Sequence, residues 1–129
     1  VQGLHLTADL RGCAAHSRAL LLAPEALRGL CLAAVERAGL SPVGELFHRF
    51  FPAPGESQSG VTGVVLLAES HLAVHTWPEL GGVTLDVYVC NLGQDNSARA
   101  EALMEVLIAA FAPEQALRQR LMRGGEAAP

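Results

Sequence analysis

The chain reads as an α+β fold, a two-layer sandwich in which a mostly antiparallel sheet carries two main helices on one face. Three observations predict it. Runs at 4–10, 43–51, 61–68, 71–77 and 83–90 are alternating or continuously apolar over the length of a strand. Two longer segments, 24–38 and the one after Ser97, repeat apolar residues at three- and four-residue steps, the spacing of a helix with one buried face. At 129 residues, half of them hydrophobic, the chain is large enough for one domain with its own core.

In order, Leu4 to Leu10 alternates with period two and predicts a half-buried strand, while 11–23 is mixed, a turn followed by irregular or helical structure. Pro24 suits a first helical turn; Leu27, Leu30, Cys31, Ala34, Val35 and Ala38 form its stripe, and Gly39 stops it. Val43 to Phe51 is a strand, and the Pro/Gly/Ser run 53–60 an exposed loop. Val61 to Ala68, His71 to Trp77 and Val83 to Cys90 are further strands, with Pro78 ending the second and Gly81-Gly82 turning the chain. Ser97 is the expected N-cap of the second helix, whose inner face holds Ala100, Leu103, Met104, Leu107, Ile108 and Phe111 and which Pro113 ends. Leu117 to Arg123 fits a short helix or an edge strand equally, and 124–129 has the composition of a disordered tail.

Composition excludes several classes. A net charge of −4 with scattered basic residues argues against a nucleic-acid surface. No run reaches the roughly 20 apolar residues of a membrane span and no leader pattern opens the chain, so a cytoplasmic protein is expected. All nine basic side chains are arginine, so no lysine is available for a pyridoxal-phosphate aldimine. Cys13, Cys31 and Cys90 form no CxxC pair, which fits free thiols in a reducing compartment.

Chemistry concentrates in 68–79, where a serine, two histidines, a tryptophan and two glutamates fall within twelve residues. His71 and His75 lack the HExxH pattern, and on a strand their backbones stand about 13 Å apart, so no metal site is expected. Ser70, His75 and Asp86 could make a hydrolase trio, but the GxSxG elbow is missing. Cys90 could pair with His75, yet a thiol ending an apolar strand is more commonly buried and inert.

The run Glu69-Ser70-His71-Leu72-Ala73-Val74-His75-Thr76-Trp77-Pro78-Glu79 closely resembles the processing site of the prokaryotic S-adenosylmethionine decarboxylase proenzymes. So do Phe47-His48-Arg49-Phe50, Gly60-Val61-Thr62-Gly63-Val64-Val65 and Asp86-Val87-Tyr88-Val89-Cys90, in matching order from about His5 to Asn91. The resemblance implies a two-layer α+β fold and self-cleavage between Glu69 and Ser70, where serinolysis and elimination convert Ser70 into a pyruvoyl group. That group would stand in for pyridoxal phosphate as the electron sink of a decarboxylase that feeds spermidine synthesis, with no metal. It further implies that His75 moves protons during processing with Thr62 assisting, and that Cys90 returns a proton to the substrate carbon. Phe50 would stack on the adenine, Trp77 and Glu79 would line the same pocket, and Asp9 would supply an acid. A homodimer of cleaved protomers is implied, with active sites near its interface.

Three departures stand out. Thr62 occupies the place of the family's serine, Leu80 and Gly82 replace two tyrosines within 79–86, and Asn91 replaces a glycine. The changes at 80–84 bear on the substrate, so an arginine or ornithine decarboxylase of the same chemistry is an alternative. A second alternative is an unprocessed, non-catalytic paralogue that binds a ligand or partner.

Overall fold

The computed structural model describes residues 2–125. Its elements are β1 (Gly3–Arg11), a 3-10 turn (Ala15–Ser17), α1 (Arg18–Leu22), α2 (Pro24–Arg37), β2 (Pro42–Arg49), β3 (Val61–Leu67) and β4 (Ser70–Trp77). A second 3-10 turn (Pro78–Leu80), β5 (Gly82–Cys90), α3 (Ser97–Phe111) and β6 (Gln115–Arg123) follow. The strands form one sheet in the order β2-β3-β4-β5-β1-β6, and every neighbouring pair is antiparallel. The fold is an α+β sandwich, as the sequence predicts.

Alternation along the strands creates the two faces. Leu4, Leu6, Ala8 and Leu10 of β1 are buried, as are Leu72 and Val74 of β4 and Val83, Leu85, Val87 and Val89 of β5. Onto this face α2 lays Leu27, Cys31, Ala34 and Val35, and α3 lays Ala100, Leu103, Met104, Leu107 and Phe111. Helix α2 lies over β2 and β3, and α3 over β1 and β5. The intervening positions, among them His5, Thr7, Asp9, His71, His75 and Asp86, point to the opposite face, which no helix covers.

Several boundaries differ from expectation, each for a physical reason. Strand β2 stops at Arg49 rather than Phe51, because Phe50 N–H bonds to the Gly60 carbonyl and Pro52 follows directly. Strand β3 ends one residue earlier than expected, at Leu67, and β4 begins one residue earlier, at Ser70, because Leu67 pairs with Ser70 and leaves Ala68 and Glu69 as the turn between them. Asn96, not Ser97, occupies the N-cap of α3, and it caps without its side chain, which is drawn away to the Cys90 carbonyl. The ambiguous segment is the edge strand β6. All nine of its residues are exposed, so no inward and outward alternation marks it. Pairing with β1 along its whole length defines it, supported by Arg118 to Glu105 and Arg120 to Glu101 of α3. Of the expected disordered tail, residues 126–129 lie outside the described residues.

Among the described residues no helix is long and apolar enough to cross a membrane. Leu72 is fully buried at the centre of the sheet, whereas Leu46 on edge strand β2 is 68% exposed. Leu72→Ala should therefore cost about 2–5 kcal/mol in urea unfolding with an unchanged slope, and Leu46→Ala within about 0.5 kcal/mol.

Candidate active site

The expected site residues collect at two places on the sheet. At the first, Thr62 of β3 stands opposite His75 of β4, and Thr62 Oγ1 lies 2.9 Å from His75 Nδ1. The His75 and Trp77 rings follow on the same face with centroids 6.0 Å apart. Phe50, Glu56, Thr62, His75, Trp77 and Glu79 line a cleft of about 210 Å³ here. Phe50 is brought in by its bond to Gly60, whose lack of a side chain is obligatory: a Cβ would sit 1.8 Å from the Thr76 carbonyl oxygen.

Buried Thr76 anchors this end. Its hydroxyl donates to the Leu21 carbonyl at 2.7 Å and accepts from Val61 N–H at 2.9 Å. Arg18 of α1 donates to the Pro78 carbonyl at 2.6 Å and to the Gln58 side chain. One arginine thus ties the loop after β2 to the Trp77–Glu79 segment. Asp9, exposed on β1 opposite Thr84, lines an adjoining cavity of about 450 Å³ with Trp77, Leu80 and Gly82. The positions that depart from the family pattern at 80–84 face this space.

At the second place, the Ser70 Oγ at the start of β4 accepts the Cys90 backbone N–H at 3.0 Å. The Cys90 sulfur accepts from Leu92 N–H at 3.4 Å. Asn96 Nδ2 donates to the Cys90 carbonyl at 2.9 Å, Asn96 N–H donates to Asn91 Oδ1 at 2.8 Å, and Asn91 Nδ2 donates to Ser97 Oγ at 3.0 Å. Asn91, which replaces a glycine of the family pattern, thus closes the loop that holds the thiol. Glu69, immediately before Ser70, has a left-handed backbone with φ +56°.

The two places do not meet within one chain. Ser70 and His75 are five residues apart on one extended strand, or about 16 Å at the rise of a β-strand. Neither the Ser70–His75–Asp86 trio nor the Cys90–His75 pair is assembled. Asp86 instead faces His71, with Nε2 at 2.9 Å from Oδ1. His5 Nε2 lies 2.8 Å from the same oxygen without hydrogen-bond geometry. The His5 and His71 rings also pack at the edge and tilted against Tyr88, so a polar cluster occupies the sheet face between the two places. Alternation assigns these residues to the open face; the register that joins them is a pairing of distant strands, which no local pattern reveals. Among the described residues no group of three His, Cys, Asp or Glu could hold a metal.

Burial separates the thiols. Cys31, enclosed beneath α2, is pushed up to about 12, and burial also raises Cys13. The neutral Cys31 thiol stabilises the fold fully below its ordinary value of 9.0, and that contribution is lost as pH rises toward 12. Cys31 should resist iodoacetamide at pH 8 until denaturant is added, and Cys31→Ala should flatten the decline of Tm above pH 9.

The family model described as S-adenosylmethionine decarboxylase matches residues 4–124. An S-adenosylmethionine decarboxylase proenzyme of Archaeoglobus fulgidus is 34% identical over 96% of this chain and 99% of its own length. One from Persephonella marina is 42% identical over 81% and 72%. The crystal structure of the adenosylmethionine decarboxylase from Aquifex aeolicus superposes with a TM-score of 0.82 at 34% identity, covering 98% of this chain and 94% of that one.

Proposed function

This chain belongs to the S-adenosylmethionine decarboxylase family, and we propose that it is a self-cleaving decarboxylase of S-adenosylmethionine that acts as a homodimer. The observation that carries the reading is the division of the site: Ser70 with Cys90 at one end of β4, Thr62 with His75 at the other. Thr62 and His75 face the side of the sheet that no helix covers, and Ser70 stands at the far end of the same strand as His75, beside the hairpin turn. Two sheets packed by their uncovered faces in opposite directions would bring the histidine end of one protomer toward the serine end of its partner.

In processing, the Ser70 hydroxyl adds to the Glu69 carbonyl carbon, the peptide C–N bond breaks, and amide becomes ester. His75, its ring oriented by Thr62 at Nδ1, takes the Ser70 Cα proton; the ester then leaves as the Glu69 carboxylate, and a dehydroalanine remains. Tautomerisation and hydrolysis, consuming one water and releasing ammonia, convert residue 70 to a pyruvoyl group. The residues present suit that group: Ser70 supplies its atoms, the Cys90 loop borders it, and no lysine competes as an imine-forming residue. The pyruvoyl carbonyl supplies the electron sink for loss of carbon dioxide, with no metal or pyridoxal phosphate needed.

Around the substrate, Phe50 stacks on the adenine, Trp77 and Glu79 close the cleft, and Asp9 adds a carboxylate from the neighbouring cavity. The Cys90 thiol, held by Leu92 N–H, returns a proton to the substrate carbon. The product serves as aminopropyl donor for spermidine synthesis in the cytoplasm. No observation favours the arginine or ornithine alternative or the non-catalytic one.

An intact mass spectrum of the purified chain tests this directly. Two fragments split between Glu69 and Ser70 are expected, the second beginning with a ketone, together with carbon dioxide release from S-adenosylmethionine. Ser70→Ala should stay whole and inactive. Cys90→Ala should cleave yet lose about 100-fold or more in turnover. Decarboxylation by the Ser70→Ala chain would contradict the reading.

A further inference from the structure

The turn that carries the expected scissile bond has an unfavourable build. Leu67 pairs with Ser70, so Ala68 and Glu69 are the two central residues of a β-hairpin. Hairpins of that length favour turns whose first central residue is left-handed, usually with glycine or asparagine, because those match the strand twist. Here only the second central residue is left-handed, and it is a glutamate at φ +56°. The one other non-glycine residue with positive φ among the described residues is Ala112, at a helix C-cap where such a conformation is ordinary. Both sides of the turn are held: β3 and β4 pair from Leu67–Ser70 through Thr62–His75, and Ser70 Oγ is bonded to Cys90 N–H on β5. The turn cannot relax by slipping its register without turning Leu72 and Val74 out of the core.

We propose that this turn is a strain device for self-cleavage, in which the left-handed backbone of Glu69, rather than its carboxylate, promotes attack by Ser70. The proposal rests on cleavage occurring between Glu69 and Ser70. The chemistry explains how strain is used. In the amide, Glu69 carbonyl carbon connects to Ser70 Cα through one nitrogen. When Ser70 Oγ adds and the C–N bond breaks, the proton from the hydroxyl passes to the departing nitrogen, and the connection runs through Oγ and Cβ instead. The backbone path gains one atom, so the tight turn lengthens and Glu69 can leave the left-handed region. An ester is ordinarily less stable than the amide it replaces; release of the turn offsets part of that difference. Glu69 is thus a positioning residue acting through its backbone.

The freshly translated full-length chain provides the test, with cleavage followed by intact mass and the ester fraction read by hydroxylamine capture. Glu69→Gly removes the left-handed penalty and should slow cleavage about tenfold, corresponding to ~1.4 kcal/mol, with a smaller hydroxylamine-sensitive fraction. Glu69→Gln keeps the side-chain stem and the strain and should cleave at the parent rate. In the uncleavable Ser70→Ala background, Glu69→Gly should raise Tm, a readout that loss of a carboxylate contact would not give. Parent-rate cleavage by the glycine variant would overturn the proposal, as would a glutamine variant as slow as the glycine one. A parent chain that never cleaves would instead remove the reading on which it rests.

Discussion

Strand β4 is extended and paired on both sides, and that constraint shapes everything the site can do. Its first residue is Ser70 and its sixth is His75. A strand advances about 3.3 Å per residue, so no rotamer of either side chain closes the gap between them. The hydroxyl expected to attack and the imidazole expected to move protons are therefore locked apart by the same ladder that makes the core. Serine, thiol and scissile turn stand at one end; threonine, imidazole and the aromatic cleft stand at the other. The homodimer proposed above would bring the two sets together without either one leaving its strand.

The supporting interactions hold each half in place. Thr76 is one of two buried polar residues among those described, and it joins α1, β3 and the end of β4 through two hydrogen bonds. Gly60 lets the chain pass against Thr76 closely enough to deliver Phe50. At the other end the asparagine pair 91 and 96 fixes the loop after β5 and so holds Cys90, whose backbone N–H bonds to Ser70 Oγ. Between the two ends, the His5–Asp86–His71 cluster presents polar groups at the centre of the open face.

Much of this is legible in the residues. Period-two alternation marks β1, continuous apolar runs mark β3 and β5, and a three-to-four spacing marks both long helices, because each has one buried face. Strand β6 is not legible, since an edge strand exposed on both faces carries no periodic signal and exists through its pairing with β1. The α3 cap is misplaced by one residue because Asn96 uses its side chain for Cys90 rather than for the helix. For the site, motif resemblance identifies the residues by type, but not their distribution over two ends of a strand. Nor does it reveal Arg18, forty residues from Gln58 and sixty from Pro78 in the chain. Spacing alone already separates His71 from His75, and the structure adds that His71 is engaged by Asp86.

The most direct measurement is complementation between two defective chains. A Ser70→Ala chain lacks the nucleophile but keeps His75; a His75→Ala chain lacks the imidazole but keeps Ser70. Each expressed alone should remain whole. When the two are co-expressed with distinguishable tags and the mixed dimers purified, the His75→Ala chain should be cleaved at Glu69–Ser70 while the Ser70→Ala chain stays intact. Cleavage of neither chain in mixed dimers, or cleavage of the His75→Ala chain on its own, would contradict a site shared between protomers.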